Sequence, residues 1–252
     1  MKAALAPPGA FPQPHFQPEG GRVCSLAPAW LALALLSGCA DPDRGNEWFP
    51  LREGDEQTLA VTYAMDEPRE AEQWTLRVQA HATFQEQPVA VRRHSAGISY
   101  FLLADTKGIR RVATQSDLDN DPTADAEPVW VLKAPYQVGT EWTTPTVPYL
   151  LQRKNEHPRD LKYTHKAQMI WRIEAVDDVV KLADGSTLSP CLRVRGEARL
   201  NLYTDPVNGF TDVPLISREW YCKGLGLVKL EREEKVPSGF LVGGVLRAEW
   251  AR

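Results

Sequence analysis

The sequence has little cysteine, no strong excess of charge of either sign and no long hydrophobic run. Its 252 residues include four Cys, and 29 Lys and Arg stand against 33 Asp and Glu, which gives a formal net charge of −4. No dense run of Lys or Arg occurs, so a nucleic acid partner is not expected, because phosphate binding requires a concentrated basic face. The apolar content of 43% is typical of a folded globular protein rather than of a disordered chain.

Catalytic motifs are also missing. The sequence contains no Gly-x-Ser-x-Gly elbow, no His-Glu-x-x-His pair, no Cys-x-x-Cys and no phosphate-binding glycine-rich loop. Four histidines are interpreted as surface residues rather than as bases or metal ligands, namely His81, His94, His157 and His165. The sequence therefore nominates no enzyme. The alternative is an enzyme, such as a hydrolase, whose site is assembled from scattered residues.

The N-terminal apolar segment is the most informative stretch. Residues 25–38 form an apolar run that would span only about 21 Å as a helix, too short for the ~30 Å hydrocarbon core of a bilayer. It therefore predicts the apolar region of a secretory signal peptide. The run ends in Leu-Ser-Gly-Cys at residues 36–39, which resembles the lipobox of bacterial lipoproteins.

The lipobox resemblance implies a modification and a location. Signal peptidase II would cut before Cys39, and this residue would carry a diacylglycerol group and an amide-linked acyl chain such as palmitate, which anchor the protein in a lipid bilayer. In such lipoproteins an Asp directly after the cysteine favours retention at the inner membrane. Here Ala40 stands at that place, which implies the outer membrane, with the body facing the periplasm. The alternative is a buried core helix that happens to end in Gly-Cys.

These signals predict the domain organisation. Residues 1–21 carry five prolines and little charge, unlike the start of a signal peptide, so we expect them to lie upstream of the true start. The signal peptide is predicted to end at residue 38, and residues 39–48 to form a lipidated tether. Residues 49–252 are predicted to form a single antiparallel β domain.

The remaining chain has the periodicity of β-strands. Apolar residues take every second position in residues 74–84 and again in residues 192–202. Such alternation places one face of a strand on the core and the other in water, as in antiparallel sheets. Turn pairs such as Asp184-Gly185 separate the strands. The predicted fold class is therefore all-β, built from a twisted antiparallel sheet.

An internal duplication is also indicated. Residues 50–54 and 135–139 both read Pro-x-x-x-Gly. Each is followed by a strand that contains a tryptophan, Trp74 or Trp171, and later by a strand that begins with glycine. The order of these features predicts two related halves. The alternative is that any β protein repeats turn residues before apolar strands.

Several motifs resemble one family. They are F-P-L-x-x-G at residues 49–54, V-G-x-x-W at 138–142, C-L-x-V at 191–194 and W-Y-x-x-G-x-G-L-V-K at 220–229. Together they are similar to landmarks of a group of uncharacterised bacterial periplasmic proteins and lipoproteins. The chain departs from that pattern at two places. Thr58 or Leu59 stands where the family has a tryptophan soon after the first motif, and Cys222-Lys223 stands where the family has Ala-Pro. The resemblance implies a half-barrel and supplies no catalytic residues.

The cysteines allow one disulfide. Cys24 leaves with the signal peptide and Cys39 is lipidated, so only Cys191 and Cys222 remain for an oxidising compartment. A bridge that closes a loop of ~30 residues would stabilise the fold by roughly 3 to 4 kcal/mol. Against it, Cys191 has the strand phase of solvent-facing residues and Cys222 that of core-facing ones. A bulge at residues 189–190 would restore the pairing.

One acidic segment is a candidate calcium site. Asp117, Asp119 and Asp121 match the first three ligand positions of a calcium loop, because a hard cation needs several converging oxygens. Pro122 replaces the glycine of such loops, and Pro128 stands where the last Glu is expected. The alternative is a solvated acidic loop. No other cofactor is expected.

The functional prediction is a lipid-anchored binding or assembly module without catalytic activity. Its concave face would hold an apolar ligand or an envelope protein, and some apolar surface must then stay accessible. The alternating strands predict that this inner face consists of Trp74, Leu76, Val78, Leu192, Val194 and Leu200.

Overall fold

The computed structural model describes residues 45–65 and 67–251. The predicted signal peptide, Cys39 and the first part of the predicted tether lie outside these residues. About 67% of the chain forms β-strands, and the one helical element of the described ranges is a 3-10 turn at Leu161–Tyr163. A short ribbon of β1 (Gly45–Asn46) and β2 (Phe49–Pro50) comes first.

The next six strands form a meander in which each strand pairs with its successor along the chain. Alternation defines their faces: in the first of them Leu59 and Val61 are buried while Ala60 and Thr62 are exposed. The strands are β3 (Glu56–Met65), β4 (Glu72–Phe84), β5 (Gln87–His94), β6 (Ile98–Asp105), β7 (Gly108–Ser116) and β8 (Thr123–Lys133).

A second meander of six strands follows. Its members are β9 (Glu141–Thr146), β11 (Ala167–Lys181), β12 (Thr187–Asp205), β13 (Gly209–Cys222), β14 (Gly226–Glu234) and β16 (Gly244–Trp250). Two short strands, β10 (Gln152–Arg153) and β15 (Leu241–Val242), pair with each other outside this sheet.

One antiparallel sheet of twelve strands results, because β3 pairs with β16 and so joins the two meanders. The edges of this sheet are β8 and β9, which are neighbours in the chain, and the sheet curls until it is nearly closed into a barrel. Each edge strand contains a proline, Pro128 or Pro145. Since proline has no backbone N–H, it removes a ladder donor from each edge and disfavours closure. The predicted all-β antiparallel fold is confirmed, and the sheet closes further than a half-barrel.

The two halves repeat the same local structure. The N–H of Gly54 donates to the carbonyl of Val78 on the second strand of the first meander, at 2.9 Å. The N–H of Gly139 donates in the same way to Ile173 on the second strand of the other meander, also at 2.9 Å. Both glycines have positive φ, 85° and 92°, which favours glycine at this turn. The fifth strand of each half begins with a glycine of positive φ, Gly108 in β7 and Gly226 in β14.

The sheet has two ends that differ in their connections. The tether end carries Gly45 and the β13–β14 hairpin, and the N–H of Gly224 donates to the carbonyl of Glu47 at 2.7 Å. The distal end carries the tip of the β12–β13 hairpin, residues 206–208. Strand β13 has 14 residues, so at about 3.3 Å per residue it separates the two ends by roughly 45 Å.

Side chains fill the concave face of the sheet. Val78, Leu192 and Val194 lie there as predicted, and Trp48, Phe49 and Leu51 of the N-terminal segment pack against them. Trp48, the residue before the predicted domain boundary, is buried in this core. At the distal end a second cluster includes Leu200 together with Leu151 and Leu161 of the loop after β9.

The predicted open groove is therefore not present on this face. Trp74 and Leu76 pack in a third cluster around Leu59 and Val61. The sequence could not indicate this filling, because the covering residues come from the N-terminal segment and from a loop that follows β9.

Candidate functional site

The disulfide pair lies at the tether end, where β12 and β13 meet. Cys191 and Cys222 are directly opposite each other, with a Cα–Cα distance of 4.0 Å, and a disulfide joins them. They therefore share one face of the sheet, and the expectation of opposed strand phases is wrong.

The physical reason is a local apolar cluster on the convex face. Cys191 shares this face with Arg193 and Trp220, which are paired across the two strands. Val180 and Val228 bury both cysteines there, so a core-like environment exists on the outer side of the sheet. Because Trp220 and Cys222 are apolar, their strand phase was assigned to the core, but both side chains pack into this outer cluster.

The acidic segment after β7 is held by protein partners. Asp117 forms a two-point ion pair with Arg93, with oxygen–nitrogen distances of 2.6 and 2.7 Å. Asp119 accepts from the N–H and the hydroxyl of Ser116 at 3.0 and 2.8 Å. The guanidinium lowers the pKa of Asp117, and the bonds from Ser116 lower that of Asp119. Within residues 45–65 and 67–251, no three His, Cys, Asp or Glu side chains are grouped to hold a metal ion.

The histidines interact mainly with nearby backbone or rings. The Nε2 atom of His81 lies 2.8 Å from the carbonyl oxygen of Leu51. His94 packs against Trp74 and accepts a bond from the N–H of Ala96, and burial lowers its pKa. His81 and His94 are thus half-buried rather than fully exposed, unlike the predicted surface residues.

A pocket of about 430 Å³ opens at the distal end, and we call it the distal pocket. Three segments form it: residues 153–165, the end of the β12–β13 hairpin and residues 240–241. Its floor consists of the buried side chains of Leu161, Leu202 and Leu241.

Exposed aromatic rings form the walls of the distal pocket. Tyr203, Phe210 and Phe240 are 50%, 70% and 44% exposed, although large apolar side chains are usually buried. Tyr203 and Phe210 are cross-strand partners whose rings meet edge to face at 5.5 Å. The neighbouring Val207 at the hairpin tip is 92% exposed. This concentration of exposed apolar surface marks an interaction site.

Polar groups line the rim of the distal pocket. Arg153 forms an ion pair with Glu156 at 2.7 Å, and His165 has a lowered pKa because of burial and the charge of Arg153. Asn201 is held by Asp212 through a hydrogen bond of 2.9 Å. The pocket thus combines an apolar floor with a few polar side chains, which is the usual composition of a ligand site.

A buried ion pair fixes the loop that covers the distal end. Arg232 and Glu234 lie on β14 with side chains 2% and 0% exposed, and their Nε and Oε1 atoms are 2.7 Å apart. The carboxylate of Glu234 also accepts the backbone N–H groups of Tyr149, Leu150 and Leu151 at 2.8 to 3.2 Å. Because these donors satisfy the buried charge, the segment is held firmly against the sheet.

A group of polar side chains occupies the concave face between the apolar clusters. Tyr221 donates its hydroxyl hydrogen to Glu219. Burial raises the pKa values of both groups and also that of Tyr100. The ring of Tyr149 lies 4.8 Å from the guanidinium carbon of Arg232. Such perturbed groups mark a functional site or a structural network.

Sequence reasoning missed both the distal pocket and this polar group. The pocket draws on residues from positions 153 to 241, and no local motif links them. The exposed pair Tyr203 and Phe210 had one sequence signal, since aromatic residues flank the Asn208-Gly209 turn. Glu219 and Arg232 interrupt apolar strand faces, which was a second possible signal.

No helix within residues 45–65 and 67–251 is long and apolar enough to cross a membrane.

No protein-family model matches the chain, and no curated protein matches it. Two crystal structures are similar to it. One, from Bacteroides fragilis, is named as an exported protein with a YmcC-like fold; it is 14% identical, the match covers 78% of this chain and 96% of that one, and the TM-score is 0.37.

The second similar structure is named as a lipoprotein from Parabacteroides distasonis. It is 11% identical, the match covers 82% of this chain and 99% of that one, and the TM-score is 0.38. At these identities and TM-scores neither likeness carries a functional argument for this chain.

Proposed function

We propose that the chain is a lipid-anchored, non-catalytic binding protein of the bacterial envelope. Its distal pocket holds an apolar group that belongs to a ligand or to an envelope protein. The observation that carries this proposal is the distal pocket itself, about 430 Å³ in volume, within the ~300 to 1,000 Å³ range of ligand sites. Three exposed aromatic rings surround it, and they gain contact area when an apolar group enters.

The position of the distal pocket supports a binding role away from the anchoring bilayer. The lipidated residue would be Cys39, six positions before Gly45 at the tether end. An extended link of this length reaches about 20 Å, while the sheet is roughly 45 Å long. The anchored body would therefore present the distal pocket to the periplasm, with outer-membrane anchoring implied by Ala40.

The anchor is tested by labelling with radioactive palmitate. The wild-type chain is expected to take up label and to fractionate with membranes, because acyl chains on Cys39 hold it there. The Cys39→Ala variant is expected to remain unlabelled and not to be cut at this position. Label in the variant, or none in the wild type, contradicts the lipid anchor.

The distal pocket is tested with a fluorescent fatty acid titrated into the purified full chain. We expect saturable binding that native envelope lipid extract displaces. Phe210→Ser removes one aromatic wall and is expected to weaken binding at least about tenfold, which corresponds to ~1.4 kcal/mol. The control is Val179→Ser. Val179 is also an exposed apolar residue, with 59% of its surface accessible, and it lies on β11 far from the pocket. Equal affinities of the two variants, or no saturable binding, contradict the pocket assignment.

A further inference from the structure

A small pocket of about 110 Å³ lies at the tether end, and we call it the tether pocket. Arg92 of β5 lines it and is half-buried. Its Nη2 atom donates to Oε1 of Gln57 at 3.0 Å, and its guanidinium carbon lies 4.9 Å from the ring centre of Phe49. Burial lowers the pKa of Arg92 to about 10, because desolvation penalises the cation.

Gln57 is built to orient this guanidinium. Its side chain is buried, and its amide nitrogen donates to the carbonyls of Leu225, at 3.3 Å, and Leu227. The amide oxygen is thereby turned towards Arg92. A guanidinium has five N–H donors, and within the described part of the chain Gln57 is the only hydrogen-bond acceptor that Arg92 uses. The remaining donors are available to a ligand in the tether pocket.

Two carboxylates stand at the same pocket. Asp55 accepts the backbone N–H of Arg52 at 3.0 Å, and Glu56 lies 3.8 Å from Arg77. Asp55 pairs with Arg52 at 3.7 Å and Glu56 pairs with Arg77 at 3.8 Å, and both ion pairs are solvent-exposed. The two arginines therefore neutralise little of the negative charge of the carboxylates. The tether pocket therefore offers a desolvated cation next to more exposed anions. A simple anion would be attracted by Arg92 and repelled by Asp55 and Glu56.

We propose that the tether pocket binds a zwitterionic group, with a phosphate on Arg92 and an ammonium on Asp55 and Glu56. Phosphoethanolamine has this charge arrangement and a size suited to the pocket. The source we assign is the headgroup of a bilayer lipid, because the pocket wall includes Pro50, which follows Cys39 by only eleven positions. This assignment of the source rests on the proposed lipid anchor, which would keep the tether end near the headgroups.

Binding is tested by calorimetric titration of the full chain in non-ionic detergent. Phosphoethanolamine is expected to bind saturably and at least tenfold more tightly than either phosphate or ethanolamine alone. Arg92→Gln is expected to abolish this binding. Arg93→Gln is the matched control, since Arg93 is the next residue, lies on the opposite face of β5 and is paired with Asp117. Equal binding of phosphate and phosphoethanolamine, no saturable binding, or an unaffected Arg92→Gln variant overturns the proposal.

A second variant keeps the test decisive if Arg92→Gln does not fold. Glu56 is exposed, and Glu56→Gln is expected to remove the preference for phosphoethanolamine over phosphate while phosphate binding stays within about twofold. Retention of the preference in this variant overturns the zwitterion assignment.

Vesicles separate the two sources of the ligand. The full chain is expected to bind free phosphoethanolamine more weakly in the presence of phosphatidylethanolamine vesicles than in the presence of phosphatidylcholine vesicles. The reason is that only the phosphatidylethanolamine headgroup competes for the pocket, since the ammonium of phosphatidylcholine has no N–H donors. No difference between the vesicles overturns the membrane source. Palmitate labelling of Cys39 is measured separately, so failure of the anchor is distinguished from failure of the tether pocket.

Discussion

Arg232 and Glu234 form an ion pair whose side chains are almost completely buried, with 2.7 Å between Nε and Oε1. The same carboxylate accepts three successive backbone N–H groups of the loop at Tyr149–Leu151. A charge on the sheet therefore fixes a loop that lies more than eighty residues earlier in the chain. This loop contributes Leu151 to the distal cluster that also contains Leu161, a floor residue of the distal pocket.

The first prediction concerns this ion pair. Glu234→Gln leaves the buried guanidinium of Arg232 without a charged partner, so we expect a loss of roughly 3 kcal/mol in the free energy of unfolding. Urea unfolding followed by circular dichroism measures it. The control Glu233→Gln changes a neighbour whose partner Lys235 is exposed, and its effect should stay below about 0.5 kcal/mol. Equal losses in the two variants contradict the role of the buried pair.

The second prediction concerns a close approach inside the sheet. A Cβ atom on Gly196 would lie 2.7 Å from the sulfur of Met169 and 2.7 Å from the indole of Trp171. Gly196→Ala is therefore expected to destabilise the protein by about 1 to 3 kcal/mol through overpacking. Gly239→Ala is the control, since nothing lies within 4 Å of its Cβ position. Thermal unfolding of both variants checks this, and an unchanged Tm for Gly196→Ala contradicts the packing.

The third prediction concerns pH. Burial raises the pKa of Glu219 above its unfolded value of about 4.3. The folded state therefore binds the proton more tightly, and the wild type loses stability as the pH rises from the unfolded pKa through the folded pKa. Glu219→Gln cannot titrate and can still accept the bond from Tyr221. Its Tm relative to wild type should be higher at pH 8 than at pH 4. Parallel curves for the two proteins would rule out this contribution.

The fourth prediction concerns the cysteines. Intact-mass analysis without reductant should show Cys191 and Cys222 blocked to alkylation, with a mass lower than the reduced form by two hydrogen atoms. Their sequence separation is 31, so the Cys191→Ala/Cys222→Ala double variant is expected to lose roughly 3 to 4 kcal/mol. Two free thiols in the native protein would contradict the bridge.

The alternation of residues 74–84 and 192–202 was sufficient to predict an antiparallel all-β fold. The two Pro-x-x-x-Gly segments, which end at Gly54 and Gly139, also indicated the two halves. Each of these glycines adopts a positive φ, a backbone conformation that other residues rarely adopt. Such signals are local, so a single sequence displays them.

Strand phase alone failed at Cys222, because an alternating pattern identifies two faces but not which of them is buried. Here Val180 and Val228 bury part of the convex face. The distal pocket escaped prediction for a related reason. Leu161, Leu202 and Leu241 come from separate segments, and only the folded sheet brings them together.

The central claim is that an apolar group binds at the distal end, and a spin-labelled fatty acid tests it most directly. The measurement is paramagnetic broadening of methyl NMR signals in the full chain. The account predicts strong broadening at Leu202 and Leu241 on the floor of the distal pocket, and none at Leu192 in the tether-end core. Broadening at Leu192 instead, or uniform weak broadening at all three residues, would contradict it.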